Sequence, residues 1–281
     1  MKNILVPTDF SPESRYAFEA AVQLAQRSGG QLLLLHCFVP PTDSHVSTTG
    51  GLVGGHGLDD VYVLKTLQAI KRRMHGLMAQ AHELAPDVPV HELVLTTEPE
   101  TAILEIIQDR GIDLVVLGAH ENTSWTRFFL STHTEHIMRG ASCPVLTVKH
   151  PVKNFEVRHL VFASDFSAEA DQVAPSLQRL LGLYPAATLH LLDVVPTAGH
   201  HARALEAIHA FAARHQFSHY EPDVFDAPRA STGIPRFAEQ AHADLVVMLT
   251  HGRSALSHLL QGSISEAVAL HAAPPVLTVP I

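Results

Sequence analysis

At 281 residues and 46% hydrophobic content, the chain is long enough for two cores of ordinary domain size. Its 28 acidic residues outnumber 19 basic ones, a formal charge of −9, which argues against nucleic acid or an anionic membrane surface as partner. Two cysteines, Cys37 and Cys143, rule out a disulfide framework, the opening MKNILVPTDF lacks a signal-peptide layout, and no apolar stretch reaches membrane-spanning length, so the expectation is a cytoplasmic protein with buried free thiols.

The first apolar run, Asn3 to Val6, has the length of a short strand and meets Pro7-Thr8-Asp9-Phe10-Ser11. Ser11 as N-cap with Pro12 at the first helical position predicts a helix start. Ala17, Ala20, Ala21, Leu24 and Ala25 give that helix its apolar stripe, and Gly29-Gly30 ends it. Leu32 to Leu35 is a continuous apolar run, the pattern of a strand covered on both faces. Strand, helix and strand in this order require a right-handed crossover and a parallel pair. Residues 40–58 begin at two prolines and end among Gly50, Gly51, Gly54, Gly55 and Gly57. Their spacing fits neither GxGxxG nor GxxxxGK[ST], so a surface loop is expected there rather than a phosphate loop. A helix follows from about Asp60 to Leu84, with Leu64, Leu67, Met74, Leu77, Met78 and Ala81 on a core-facing side. Val90 to Leu95 alternates like a strand, and Glu98-Pro99-Glu100 starts a helix carrying Ile103, Ile106 and Ile107 that stops at Gly111. Leu114 to Leu117 is a fourth strand. Thr132 and Glu135 are spaced as a capping box for the next helix, and Val145 to Val148 is a fifth strand.

Beyond a Pro-containing linker, about 149–157, the order repeats. His159-Leu-Val-Phe-Ala-Ser-Asp165-Phe-Ser167 matches Asn3-Ile-Leu-Val-Pro-Thr-Asp9-Phe-Ser11. Leu189 to Val195 is the next strand, a helix covers about 199–215, and a strand near 218–225 contains Pro222. Residues 244–266, DLVVMLTHGRSALSHLLQGSISE, then repeat the DLVV of residues 113–135, DLVVLGAHENTSWTRFFLSTHTE. In the later copy Leu245 to Leu249 is the strand and Thr250-His251-Gly252 a turn. A second turn, Gly262-Ser263, opens a helix for which Ser263 and Glu266 are spaced as a capping box. Both copies run into PVLTV, at 144–148 and 275–279. The chain is a duplication, with one domain over 1–150 and a second over 155–281.

The Gly262-Ser263 turn presents helix N–H groups that lack intrahelical partners, together with the positive end of the helix dipole, which suits a phosphate. Asp9 and Asp165 read equally well as turn formers and as ligand contacts. His120, His133 and His136 have spacings that zinc uses, but no Cys or acid completes a set, and no metal site is assigned. His200-His201 reads as a solvated pair, and Trp125, Phe128 and Phe129 as packing under their loop. With no GxSxG elbow and no paired carboxylates in an acid–base arrangement, no catalytic residue is assigned.

Taken together, these pieces resemble the universal stress protein family in its tandem form. The resemblance rests on the strand-to-Asp turns at Asp9 and Asp165, the DLVV strand, the Gly-spaced loop and the closing PVLTV strand. It implies an α/β fold of two doubly wound, Rossmann-like domains of the adenine nucleotide alpha hydrolase-like type. Each would hold a five-stranded parallel sheet of order 3-2-1-4-5, with a ligand crevice between strands 1 and 4. It also implies pairing through the last strands, so that the two halves form an intramolecular pseudo-dimer; a further homodimer is left open. ATP-binding members carry G-2x-G-9x-G-[S/T]. Leu249, Gly252, Gly262 and Ser263 occupy those positions in the second half, and Gly118, Glu121, Ser131 and Thr132 in the first. Glu121 would set a carboxylate against incoming phosphates. The resemblance therefore implies ATP or another adenine nucleotide in the second half, with Mg2+ only if ATP binds. The candidate contacts are Asp165, Val194, Met248, Gly252, Gly262, Ser263, Ile264 and Ser265, with Asp9 and Gly118 in the first half. Asp165 is expected at adenine or ribose and Val194 at the adenine slot. Leu249 either narrows the crevice or points into the sheet. Two other functions stay open: a non-nucleotide interaction protein with decayed pockets, and a slow ATP hydrolase.

Overall fold

The computed structural model describes residues 1–40, 45–46, 52–53, 57–119, 130–152, 154–250 and 264–281. Strand β1 (Asn3–Pro7) leads into α1 (Pro12–Ser28), where the Ser11 hydroxyl accepts the Ser14 N–H at 3.2 Å and the chain leaves through Gly29 at φ +64°. Both ends of α1 are thus set by the residues that announced them. Phe18, Ala21, Val22 and Ala25 on α1 are buried, an apolar face that only contact with the sheet can satisfy. Next come β2 (Gln31–Cys37) and a two-strand ribbon, β3 (His45–Val46) with β4 (Leu52–Val53), inside the stretch expected as a loop. The other residues of 41–56 lie outside the described ones.

Helix α2 (Gly57–Leu84) corrects the expected apolar stripe. Leu64 is 44% exposed, whereas Val63, Ile70, Met74 and Ala81 are buried. The seam begins one residue earlier, because 63, 70, 74 and 81 repeat by seven and four, and Leu64 sits about 100° away around the helix. The half is completed by β5 (Val90–Leu95), α3 (Pro99–Asp109), β6 (Leu114–Gly118), α4 (Leu130–Gly140) and β7 (Val145–Val148). Because α4 starts at Leu130, the Thr132 box lies inside the helix and does not begin it.

The second half runs β8 (His159–Ala163), a 3-10 turn over Ala168–Val173, α5 (Ala174–Leu183), β9 (Thr188–Val195), α6 (His201–Arg214), β10 (Glu221–Asp226), α7 (Ala230–Gln240), β11 (Leu245–Thr250), α8 (Ile264–His271) and β12 (Val276–Pro280). Ten strands form one sheet of order β10-β9-β8-β11-β12-β7-β6-β1-β2-β5. Each half is parallel and reads 3-2-1-4-5. Pro222 is tolerated because β10 is an edge strand, where a missing N–H costs no ladder bond on the open side. One face of the sheet is covered by α1, α2, α5 and α6, with Phe18, Phe162 and Phe211 in its core. The other is covered by α3, α4, α7 and α8, around Leu5, Ile103, Val246 and Val268.

The halves join where β7 and β12 pair antiparallel, Leu146 opposite Leu277. Thr147 donates its hydroxyl to the Val276 carbonyl, and Thr278 donates to the Val145 carbonyl, each at 3.2 Å. These are equivalent threonines of the two PVLTV copies, so one device is used twice across the seam. Arg139 on α4 grips the buried Glu266 carboxylate on α8, Nη2 to Oε2 at 2.7 Å, and Lys149 Nζ donates to the Ala269 carbonyl at 2.9 Å. The connecting segment is also tied down. Phe155 is buried, its N–H donates to Gln23 Oε1 of α1 at 2.6 Å, and its carbonyl accepts the Tyr184 hydroxyl at 3.0 Å.

Candidate functional site

At the C-terminal ends of β1 and β8 the chain makes the same turn twice. Thr8 Oγ1 accepts the Phe10 N–H at 3.0 Å, and Asp9 Oδ1 accepts the Ser11 N–H at 2.9 Å. In the second half Ser164 Oγ accepts the Phe166 N–H at 3.0 Å, and Asp165 Oδ1 accepts the Ser167 N–H at 3.1 Å. Both phenylalanines lie in the left-handed region, at φ 65° and 53°, a conformation uncommon for a bulky side chain. Their rings hold them there. Phe166 is buried with centroids 5.6 Å from Phe162 and 5.3 Å from Phe211, and Phe10 packs on the His36 ring at 4.6 Å with the Arg73 guanidinium 4.8 Å above it. The turn reading of both aspartates therefore holds, and each turn sets its carboxylate at the top of the sheet, where strand order reverses.

Two carboxyls at or beside these turns, Asp9 in the first half and Asp193 in the second, are shifted in opposite directions. Burial pushes the Asp9 pKa up, but hydrogen bonds from the Ser11 hydroxyl and N–H outweigh it and hold the carboxyl below its ordinary value. In the second half burial, and then the negative charge of Asp165, push the Asp193 carboxyl up. Asp193, whose carboxyl feels the charge of Asp165, is a candidate the sequence analysis did not name. Its signal was an acid near the end of the run Leu189 to Val195, in which His190 is the only other polar residue.

In the first half a cavity of about 160 Å³ is lined by Asp9, Ser11, Cys37, Leu117, Gly118 and Thr134 among others, so the structure brings Asp9 and Gly118 together. Ligand pockets more often start near ~300 Å³. Gly118 ends β6 directly under the start of α1, and a Cβ there would lie 2.4 Å from the Glu13 carbonyl carbon and 2.5 Å from the Ser14 nitrogen. The close approach that this glycine permits is that of a helix backbone. At the matching position Leu249 is partly buried and packs against the core on the α5 and α6 face, opposite to Met248. The segment after Asp165 correspondingly winds as a 3-10 turn before α5 begins at Ala174.

Val194 lies beside the strand carrying Asp165 and abuts α7, where a Cβ on Gly233 would come within 2.5 Å of Val194 Cγ1. Met248 is 5% exposed and belongs to the core under α7 and α8. Ile264, the first residue of α8, is half exposed, and Ser265 beside it is buried. Gly252, Gly262 and Ser263 lie outside the described residues, as do Glu121, His120, Trp125, Phe128 and Phe129. Glu266, expected to cap its own helix, has its carboxylate engaged by Arg139 of the other half. His136 Nδ1 contacts Glu100 Oε1 at 2.6 Å, and His201 Nε2 contacts Asp226 Oδ1 at 2.9 Å. Burial, with Glu98 adding to it, pushes the Cys37 thiol up to about 11. Burial, with Asp113 adding to it, pushes Cys143 up to about 12, so both stay protonated at neutral pH.

Paired switch-point turns on a duplicated 3-2-1-4-5 sheet agree with the comparison with known proteins. The family model described as the universal stress protein family matches residues 1–149 and 224–280. The chain belongs to the universal stress protein family. Residues 150–223, outside those matches, still fold as β8, α5, β9 and α6 in the order of the first half. Universal stress protein E of Escherichia coli strain K12 is 25% identical over 300 residues, covering 96% of this chain and 91% of that protein. Universal stress protein Slr1230 of Synechocystis is 25% identical over 293 residues and covers 99% of both. The crystal structure of a universal stress protein from Archaeoglobus fulgidus superposes with a TM-score of 0.72 at 17% identity, over 99% of this chain and 98% of that one. The tandem arrangement is thus shared with full-length relatives. Among the described residues, no helix is long and apolar enough to cross a membrane.

Proposed function

We propose that this tandem universal stress protein holds an adenine nucleotide, with ATP as the first candidate, in its second half. The observation that carries the reading is the place of the Gly252, Gly262 and Ser263 spacing: β11 ends at Thr250 and α8 begins at Ile264. A glycine-bracketed segment between a switch-point strand and a helix start can bring bare main chain and helix N–H groups to phosphates. Asp165 and Asp193 supply acceptors for ribose hydroxyls or an exocyclic amine, and Val194 supplies an apolar wall. The residues present therefore fit such a ligand. Mg2+ would enter with the triphosphate, bound through its oxygens. The first half is read as a structural and interaction half, because Gly118 is occupied by α1 and Glu121 opposes phosphate. Titration of the full chain with a fluorescent ATP analogue tests the proposal. Saturable binding that Gly252→Glu abolishes is expected, accompanied by a rise in melting temperature with ATP. Equal binding by Gly252→Glu and the parent would refute the assigned pocket. The absence of any shift at millimolar ATP would favour a nucleotide-free interaction protein instead.

A further inference from the structure

We propose that His190, Asp223 and Glu221 form a binding site for a divalent transition-metal ion of the zinc class at the N-terminal end of the second-half sheet. His190 is the third residue of β9, and Glu221, which opens β10, is its partner in strand register. His190 Nδ1 lies 3.0 Å from Asp223 Oδ2 and 3.5 Å from Glu221 Oε2. The three ligand atoms all lie within 4.8 Å of one another. An ion bound at ~2.0–2.2 Å to nitrogen and oxygen in a tetrahedron separates its ligands by about 3.4 Å, so these distances bracket what one ion requires. One imidazole and two carboxylates make a mixed N/O donor set suited to Zn2+ and its neighbours, with a fourth position left for water.

The imidazole is held for this purpose from behind. Its other nitrogen, Nε2, lies 3.2 Å from His159 Nδ1, the two rings stand 5.5 Å apart, and Phe237 covers a further side at 6.0 Å. A partner on the far nitrogen orients the ring and leaves Nδ1 facing the carboxylates; the His159 nitrogen here takes the place that a carboxylate, carbonyl or water commonly holds behind a metal-bound histidine. The His190 side chain is 7% exposed, Asp223 27% and Glu221 62%, so the site is anchored in the core and open on one flank. The duplication supplies an internal control. By strand register, the first half holds Asn3, Leu33, His91 and Leu93 where the second holds His159, His190, Glu221 and Asp223. The fold itself does not call for a histidine in this strand; a leucine fills the same place in its twin. His190 lies three and four residues before Asp193 and Val194 along β9, so the cluster sits towards the strand starts and the proposed nucleotide crevice at the strand ends.

Chelator-stripped full-length protein titrated with Zn2+ by calorimetry, and with Co2+ by visible absorption, tests the site. The parent is expected to bind with an intense tetrahedral Co2+ spectrum that Zn2+ displaces. Asp223→Asn with Glu221→Gln should weaken the ion by at least about tenfold and remove that spectrum. His159→Phe should weaken it by ~10–100-fold with the spectrum kept, the range expected of a supporting residue. The two acids are partly exposed, so their double variant is expected to fold, which circular dichroism checks. His201→Gln should leave the spectrum and affinity unchanged, which separates this site from the His201–Asp226 pair. A parent without the tetrahedral spectrum, or a double variant that binds like the parent, would overturn the proposal.

Discussion

Gly118→Ala separates two meanings of the first motif glycine. If the residue is there to let α1 sit on β6, the added methyl meets main chain, because its Cβ would lie 2.4 Å from the Glu13 carbonyl carbon and 2.6 Å from the Glu13 oxygen. Ordinary contact begins near 3.4 Å, so the first turn of α1 must shift by about 1 Å. That turn carries the Ser11 cap to Ser14 and the Thr8–Ser14 hydroxyl contact at 3.1 Å. Overpacking costs ~1–3 kcal/mol, and a disturbed N-cap adds about 1 kcal/mol. We expect a loss of at least roughly 2 kcal/mol, or about 4 °C in melting temperature for a chain of this size. Urea unfolding followed by circular dichroism measures it. A midpoint that stays within about 0.5 kcal/mol of the parent's would refute the packing account and leave ligand approach as the reason for the glycine.

Arg139→Met should destabilise the chain by roughly 1–3 kcal/mol. It strips the guanidinium from the buried Glu266, and the figure is reduced from the ~3–5 kcal/mol of a fully buried pair because the Arg139 side chain is 47% exposed. In a double-mutant cycle with Glu266→Gln the two losses should fall well short of adding; additive losses would show that the pair is not coupled. With Cys37 at about 11 and Cys143 at about 12, native protein should react with a thiol reagent very slowly at pH 8. The Cys37 rate should climb about tenfold per pH unit towards pH 11 and both thiols should titrate at once in denaturant, whereas two fast native thiols at pH 8 would contradict the burial described.

Most of the architecture was legible because the chain states it twice. Ser11, Gly29, the DLVV strands and the two PVLTV runs fixed element type and order, and a repeated order of strands and helices allows few topologies. What escaped was information that depends on neighbours distant in sequence. Leu64 and Val63 are equally apolar, and only docking of α2 chose between them. The spacing of Ser263 and Glu266 is a local pattern, yet Arg139, 127 positions away, takes the Glu266 carboxylate. The left-handed Phe10 and Phe166 carry no glycine to announce them, since their rings are held by tertiary packing. The cluster at His190 was equally hidden, because its members meet only through the pairing of β9 with β10. Asp9, Asp165, Val194 and Gly118 lie at strand ends, which periodicity locates well.

The antiparallel seam between β7 and β12 has a directional consequence. Every strand of one half runs against every strand of the other, so the two switch-point turns emerge on opposite rims of the single sheet. With β8 and β1 five strand positions apart as well, a single small ligand cannot span Asp9 and Asp165. A partner laid along one rim would instead meet the switch-point turn of one half beside the strand starts of the other, so the two turns face different sides of the molecule.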